Sequence, residues 1–266
     1  MASSTQKTVA IFAHPGHELQ CLLGLKRQNA TIAFLTDASA GTGRARAQQS
    51  MLGLKALGLS TSEHWEPITD HALYAMLMDR DRNAISALYG AIQSLLGNER
   101  PQTVVTDAAE GYNPAHDFCH FLVMLAVQIV CPNAQLVETP LTDDPHDLSG
   151  HEPSRCMIFD LTPSEIQQKS HVINAYCKTA GGILQQEVKD MRARFGEAVM
   201  VREILRPALS QEAYFNRFKK EKPFFERHGE RRVKEGKYDR LLRLHPHLAY
   251  ALGVIADPVN ARPDNQ

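Results

Sequence analysis

Short apolar runs alternate with amphipathic stretches along most of the chain. Thr8–Ala13 and Ala30–Leu35 are apolar at nearly every position, the mark of strands buried on both faces of a parallel sheet, and Thr103–Thr106 reads as a further strand. His17–Arg27, with Leu19, Leu22 and Leu23 at helical spacing, predicts a helix. A second is predicted over Arg44–Leu57, closed by Gly58. A third over Asn83–Leu96 carries Ile85, Leu88, Ile92 and Leu95 on one face. Pro114 suits the first turn of a helix running to Val130. Thr61–Asp70 predicts only a short strand around Trp65.

Gln135–Leu141 and Cys156–Leu161 read as further strands, joined by a loop over Thr142–Ser154 rich in Asp, Pro and His. The strand–helix alternation through about residue 141 implies right-handed βαβ units, hence an α/β fold with a largely parallel sheet and helices on both faces. After Pro163 the pattern changes. Ser164-Glu165 opens a helix expected to reach Arg194, Ala198–Leu205 is read as one more strand, and Gln211–Ala256 reads as helical. The expected division is a metal-binding domain over residues 1–205, a basic helical extension over 206–256 and a disordered tail over 257–266.

Composition narrows the class. Hydrophobic residues make up 43% and charged residues 22%, values of an ordinary globular protein. The net charge of −1 gives no global attraction to nucleic acid or to a membrane surface. No apolar run approaches the roughly 18 residues a membrane span needs. The polar start Met1–Lys7 has no apolar signal core, and five cysteines without a CxxC argue against a disulfide framework, so a reducing cytoplasmic setting is expected. From Arg217 to Arg243, 11 Lys and Arg face 5 Asp and Glu; such a run is read as a solvated helix face or as a clamp for an acidic ligand.

Candidate chemistry sits at the strand exits. The first strand ends in His14-Pro15-Gly16-His17-Glu18, and the third leads through Asp107–Glu110 to His116 and His120 on the opening turns of the next helix. In open α/β sheets ligands bind at the carboxyl ends of strands. Histidines from two such loops would give a site with three protein ligands and an open fourth position, the catalytic form of zinc. Spacing alone leaves open whether His116 or His120 completes it.

The motifs that carry these residues resemble the PIG-L/LmbE family of zinc-dependent N-acetyl-sugar deacetylases. Ala13-His14-Pro15-Gly16-His17-Glu18 matches the family's Ala-His-Pro-Asp-Asp-Glu, Thr36-Asp37-Ala38 its Thr-Asp-Gly-like loop, and Gly111-Tyr112-Asn113-Pro114-Ala115-His116 its Gly-x-His-Pro-Asp-His. Phe225–Val233 is similar to the tails of some bacterial members. The resemblance implies a Rossmann-like sheet with Zn²⁺, or another divalent metal, held by His14, His17 and His116, and places His120 one turn deeper, behind the ligands. It implies a hydrolase that removes an N-acetyl group from an amino sugar or sugar conjugate. The expected partner is a small-molecule or glycoconjugate substrate, with no nucleic acid or membrane span and homo-oligomerisation left open.

The departures from the family pattern define the question. The family's general-base Asp is Gly16 here, and its second-motif His and Asp are Asn113 and Ala115. Glu18, Glu110 and Asp117 are the nearby carboxylates expected to carry a proton instead, and each has an alternative role as a helix-end charge or a support for a histidine. Asp37, Arg46 and Asn113 are the expected substrate contacts, with Arg44 beside Arg46 in the same role. The alternative function is a catalytically silent metal- or glycan-binding protein of the same fold.

Overall fold

The computed structural model describes residues 7–39, 46–63, 65–180 and 182–257. Its seven-stranded sheet has the order β3-β2-β1-β4-β5-β7-β6. The strands are β1 (Thr8–Phe12), β2 (Thr31–Phe34), β3 (Ser60–Thr61), β4 (Thr103–Asp107), β5 (Gln135–Thr139), β6 (Met157–Asp160) and β7 (Arg202–Pro207). The five strands from β3 to β5 run parallel, with Val9 opposite both Thr31 and Val104. β7 is antiparallel to β5 and to β6. The chain winds outward in both directions from β1 and β4, so the strand order reverses between them. In doubly wound sheets that reversal opens the ligand crevice at the carboxyl edge.

The pleat of β1 explains the two layers. Val9, Ile11 and Ala13 enter one core, with α3 (Asp70–Met78), α4 (Arg82–Glu99) and α5 (Pro114–Val130). Ala10 and Phe12 enter the other, with α1 (Leu22–Arg27), α2 (Ala47–Ala56) and α6 (Pro163–Ala180). Alternate side chains of a strand point to opposite faces, so a strand apolar throughout is what a covered sheet requires.

Several elements differ from the sequence expectation. The first predicted helix is a 3₁₀ turn over His17–Gln20 followed by α1. The second, α2, is shorter than predicted, and Gly41–Arg44 lie outside the described residues. Instead of a strand around Trp65, the indole Nε1 donates to the Phe34 carbonyl at 2.6 Å, and the edge strand is Ser60–Thr61. α3 was not predicted. It is N-capped by Thr69, whose side chain accepts from the Ala72 N–H. The helix expected over Ser164–Arg194 is described as α6 and α7 (Gly182–Phe195), and Gly181 lies outside the described residues. Ala198–Val201 is a helical turn, α8, that buries Val199 and Met200, and the ladder with β6 begins only at Arg202.

The C-terminal segment is α9 (Gln211–Arg217), α10 (Phe224–Lys234) and α11 (Tyr250–Ala256). It sends Leu244, Leu248 and Leu252 into the same core as α4 and α5. Its basic residues are largely matched by acids: Lys222 and Arg243 meet Glu230, Arg232 and Lys237 meet Glu235, and Arg240 meets Asp79. Exposed pairs of this kind contribute little each. No helix among the described residues is long and apolar enough to cross a membrane.

Gly111, between β4 and α5, joins the C-terminal segment to the sheet edge. Its φ of 71° is left-handed, and a Cβ there would run into the Phe218 ring. Gly111→Ala is therefore expected to destabilise the fold by about 2–4 kcal/mol, from the left-handed backbone and the overpacking together. Urea unfolding measures it, and a change under about 0.5 kcal/mol, the range of ordinary surface substitutions, would show the junction is loose.

Candidate metal centre

The corner after β1 is a tight turn. Gly16 has a φ of 108°, and the His17 N–H reaches back to the His14 carbonyl at 3.4 Å. Both histidines therefore leave β1 on the same side, facing the first turn of α5. There His116 follows Asn113, which caps α5 by accepting from the Ala115 N–H at 2.8 Å. The three rings meet: the centroids of His14 and His17 are 5.2 Å apart, those of His14 and His116 5.1 Å, and those of His17 and His116 4.5 Å.

Hydrogen bonds behind the rings set which nitrogen faces inward. The Thr36 hydroxyl donates to the Ala13 carbonyl at 3.0 Å, so at 2.7 Å it accepts from His14 Nδ1–H. The Asp70 carboxylate lies 3.2 Å from the same nitrogen. The His14 Nε2 lone pair is then the one left for a cation. His17 Nδ1 lies 3.0 Å from both oxygens of Asp107, which also accepts the Ala13 N–H at 2.7 Å. His116 Nδ1 is buried with no hydrogen-bond partner. An orphaned imidazole nitrogen between two other rings fits a metal ligand.

Electrostatics point the same way. Burial, and then the neighbouring histidines, push the His17 and His116 rings well below the ordinary histidine pKa, which keeps them neutral, the ligand form. Arg46 adds to the depression at His17, which puts its guanidinium within electrostatic reach of the ring. Burial raises Asp107 to about 7. Three imidazoles backed by the buried carboxylates Asp70 and Asp107 form a pocket suited to a divalent cation. The donor atoms are not yet focused: among the described residues no group of three or more His, Cys, Asp or Glu is arranged as a ready coordination set. The rings are close enough to share an ion only after side-chain adjustment.

The other expected residues have different surroundings. Glu18 accepts from the Gly16 N–H at 2.6 Å and the Ser50 hydroxyl at 2.6 Å, and burial lifts it to about 7. Glu110 accepts from the backbone N–H groups of Leu141, Thr142 and Asp143. Asp117 accepts from those of Glu110 and Gly111 and from the Tyr214 hydroxyl at 2.5 Å. Asp37 accepts from the Ser39 and Asp70 N–H groups. Both nitrogens of His120 meet carbonyl oxygens, of Asp107 at 2.9 Å and Leu209 at 2.8 Å, so neither is free for a cation. Arg44 lies outside the described residues.

Two cavities flank the cluster. One of about 210 Å³ has Gly16, His17 and His116 in its wall, and the other, of about 670 Å³, is lined by Tyr74, Asn113, Phe224 and Tyr238. Tyr112 lines both and stacks on Phe224 at 4.9 Å. Sequence reasoning missed Asp70, Thr36 and Tyr176. Asp70 opens an unpredicted helix, although Thr69-Asp70 ahead of Leu73, Met76 and Leu77 is a capping signal with helical apolar spacing. Tyr176 packs beside position 16: a Cβ on Gly16 would stand 3.4 Å from its hydroxyl oxygen, an ordinary contact.

Fold and site together define an α/β protein with a Rossmann-like sheet and a histidine cluster at its switch point. No protein-family model matches the chain, and no curated protein does. Solved structures share the fold. A triple mutant of a deacetylase of the teicoplanin biosynthetic pathway aligns with a TM-score of 0.54 at 14% identity, over 77% of this chain and 99% of that one. The A40926 pseudoaglycone deacetylase Dbv21 aligns at 0.52 and 15% identity, over 77% and 97%. A conserved protein from Thermus thermophilus aligns at 0.52 and 16% identity, over 77% and 95%.

Gly16→Asp gives position 16 the side chain that the resembling family carries there. It meets a left-handed backbone, so a loss of about 1–2 kcal/mol is expected, or roughly 2–8 °C in Tm. An unchanged or raised Tm by calorimetry would show that the turn accommodates a side chain.

Proposed function

We propose that the chain is a metal-dependent amide hydrolase of the PIG-L/LmbE type that removes an N-acyl group, acetyl being the one the resemblance implies, from an amino sugar or sugar conjugate. The observation that carries this is the meeting of His14, His17 and His116 at the carboxyl ends of β1 and β4, with hydrogen-bonding groups behind His14 and His17. Support comes from the fold shared with deacetylases, one of them solved in a zinc-inhibited form. Fold alone does not assign chemistry.

The three histidines would hold the ion. When bound, a divalent cation supplies Lewis acidity, which in a three-histidine site lowers the pKa of a water to about 7. Loss of a general base costs about 10²–10⁴ in rate. A site with three neutral ligands depends less on that base, which is how the reading accommodates Gly16.

The chain's own residues do the rest. Asp107 and Thr36 orient His17 and His14. Asn113 has its oxygen tied to the Ala115 N–H and the Tyr74 hydroxyl, so its Nδ2 is the donor left for the oxygen on which charge develops. Of the three carboxylates proposed for proton transfer, Glu18 has a pKa of about 7 and shares the turn with the two ligands. Glu110 accepts only backbone N–H groups, and Asp117 accepts two of them and the Tyr214 hydroxyl. The Tyr112–Phe224 stack offers a flat apolar face for a sugar ring.

The test is amine release from N-acetylglucosamine conjugates by protein purified with Zn²⁺ or Co²⁺. Expected are loss of activity on chelation, recovery on adding metal back, and a drop of at least 10²-fold for His116→Ala with loss of bound metal. Tight glycan binding with no amine release under any metal would favour the silent binding protein.

A further inference from the structure

Taking the hydrolase reading as its premise, we propose that the small cavity beside the histidines is an acyl-chain pocket, and that the preferred substrates carry an N-acyl chain of roughly six to eight carbons rather than acetyl. The cavity shares Gly16, His17 and His116 with the cluster and runs from there between the 3₁₀ turn, α6 and α7. Leu19, Ile173, Val188, Met191, Phe195 and Met200 line it.

The charges nearby are already committed. Lys169 is buried against Glu203 at 2.8 Å, Arg192 is paired with Glu197 at 2.7 Å, and the Arg194 guanidinium lies over the Phe195 ring at 4.7 Å. Asp190 accepts from Gln186 Nε2 at 2.7 Å. The lining therefore offers an apolar surface and few free polar partners, which suits a hydrocarbon chain better than a sugar or an anionic tail.

Size decides the chain length. The cavity measures about 210 Å³. An aliphatic-lined cavity of about 150 Å³ admits benzene, so the methyl of an acetyl group would leave most of this one empty. With the amide carbonyl at the histidines, the acyl carbons extend between α6 and α7 while the amine side faces Tyr112 and the larger cavity. The reaction is ordinary hydrolysis: water adds across the amide C–N bond, its OH going to the acyl carbon and its H to nitrogen, to give a carboxylic acid and a free amine.

The test is a series of N-acylglucosamines from acetyl to decanoyl, assayed with metal-loaded full-length protein and titrated by calorimetry. kcat/KM and affinity are expected to rise about fourfold per methylene up to roughly six to eight carbons, then level off or fall. Met191→Trp, which fills the pocket, is expected to lower the octanoyl-to-acetyl ratio at least tenfold. Val188→Phe on the same wall replaces it should Met191→Trp fail to fold. Acetyl turned over at least as fast as octanoyl, with flat affinities, would overturn the pocket while leaving the hydrolase reading intact. Octanoyl bound more tightly than acetyl with no amide cleaved would uphold the pocket and remove the hydrolase.

Discussion

The site depends on one buried carboxylate, Asp107 at the end of β4. It accepts the backbone N–H of Ala13 at the exit of β1, and it meets His17 Nδ1 across the strand gap. Two strands, adjacent only because the sheet reverses its winding there, are thus tied at their carboxyl ends. Removing one partner of a buried hydrogen-bonded carboxylate costs the full desolvation of what is left, so the tie also enforces the register in which His14 and His17 face α5. Asp117 does the same for the other loop. It gathers the Glu110 and Gly111 N–H groups and the Tyr214 hydroxyl, and so holds the approach to His116.

Much of this was legible in the chain. The apolar runs of β1 and β2 announced buried parallel strands, and two histidines after β1 with another on α5 pointed to the one sheet edge where the three rings meet. Pro114 fixed the start of α5, whose bounds agree with the pattern from Pro114 to Val130. What could not be read was set by contacts distant in sequence. β7 inserts between β5 and β6, a spatial order that strand patterns do not encode. Asp70 opens a nine-residue helix whose capping signal is in the sequence, but its approach to His14 exists only once that helix packs beside the sheet edge. Asp107 was visible as a strand end, but its link to Ala13 and His17 exists only once β4 lies beside β1.

Position 16 has no side chain, and a neighbour packs beside it. The glycine takes a backbone conformation that L-residues rarely adopt, and the Tyr176 phenol fills the adjacent space. Position 16 and α6 are therefore packed as a unit. The same helix contributes Ile173 to the small cavity.

The central claim is that three imidazoles share one divalent cation. Crystals grown with Zn²⁺ and measured on both sides of the zinc absorption edge test it directly. A single anomalous peak is expected, with His14, His17 and His116 nitrogens at about 2.0–2.1 Å. A peak held by other residues, or none between these rings at saturating metal, would contradict it.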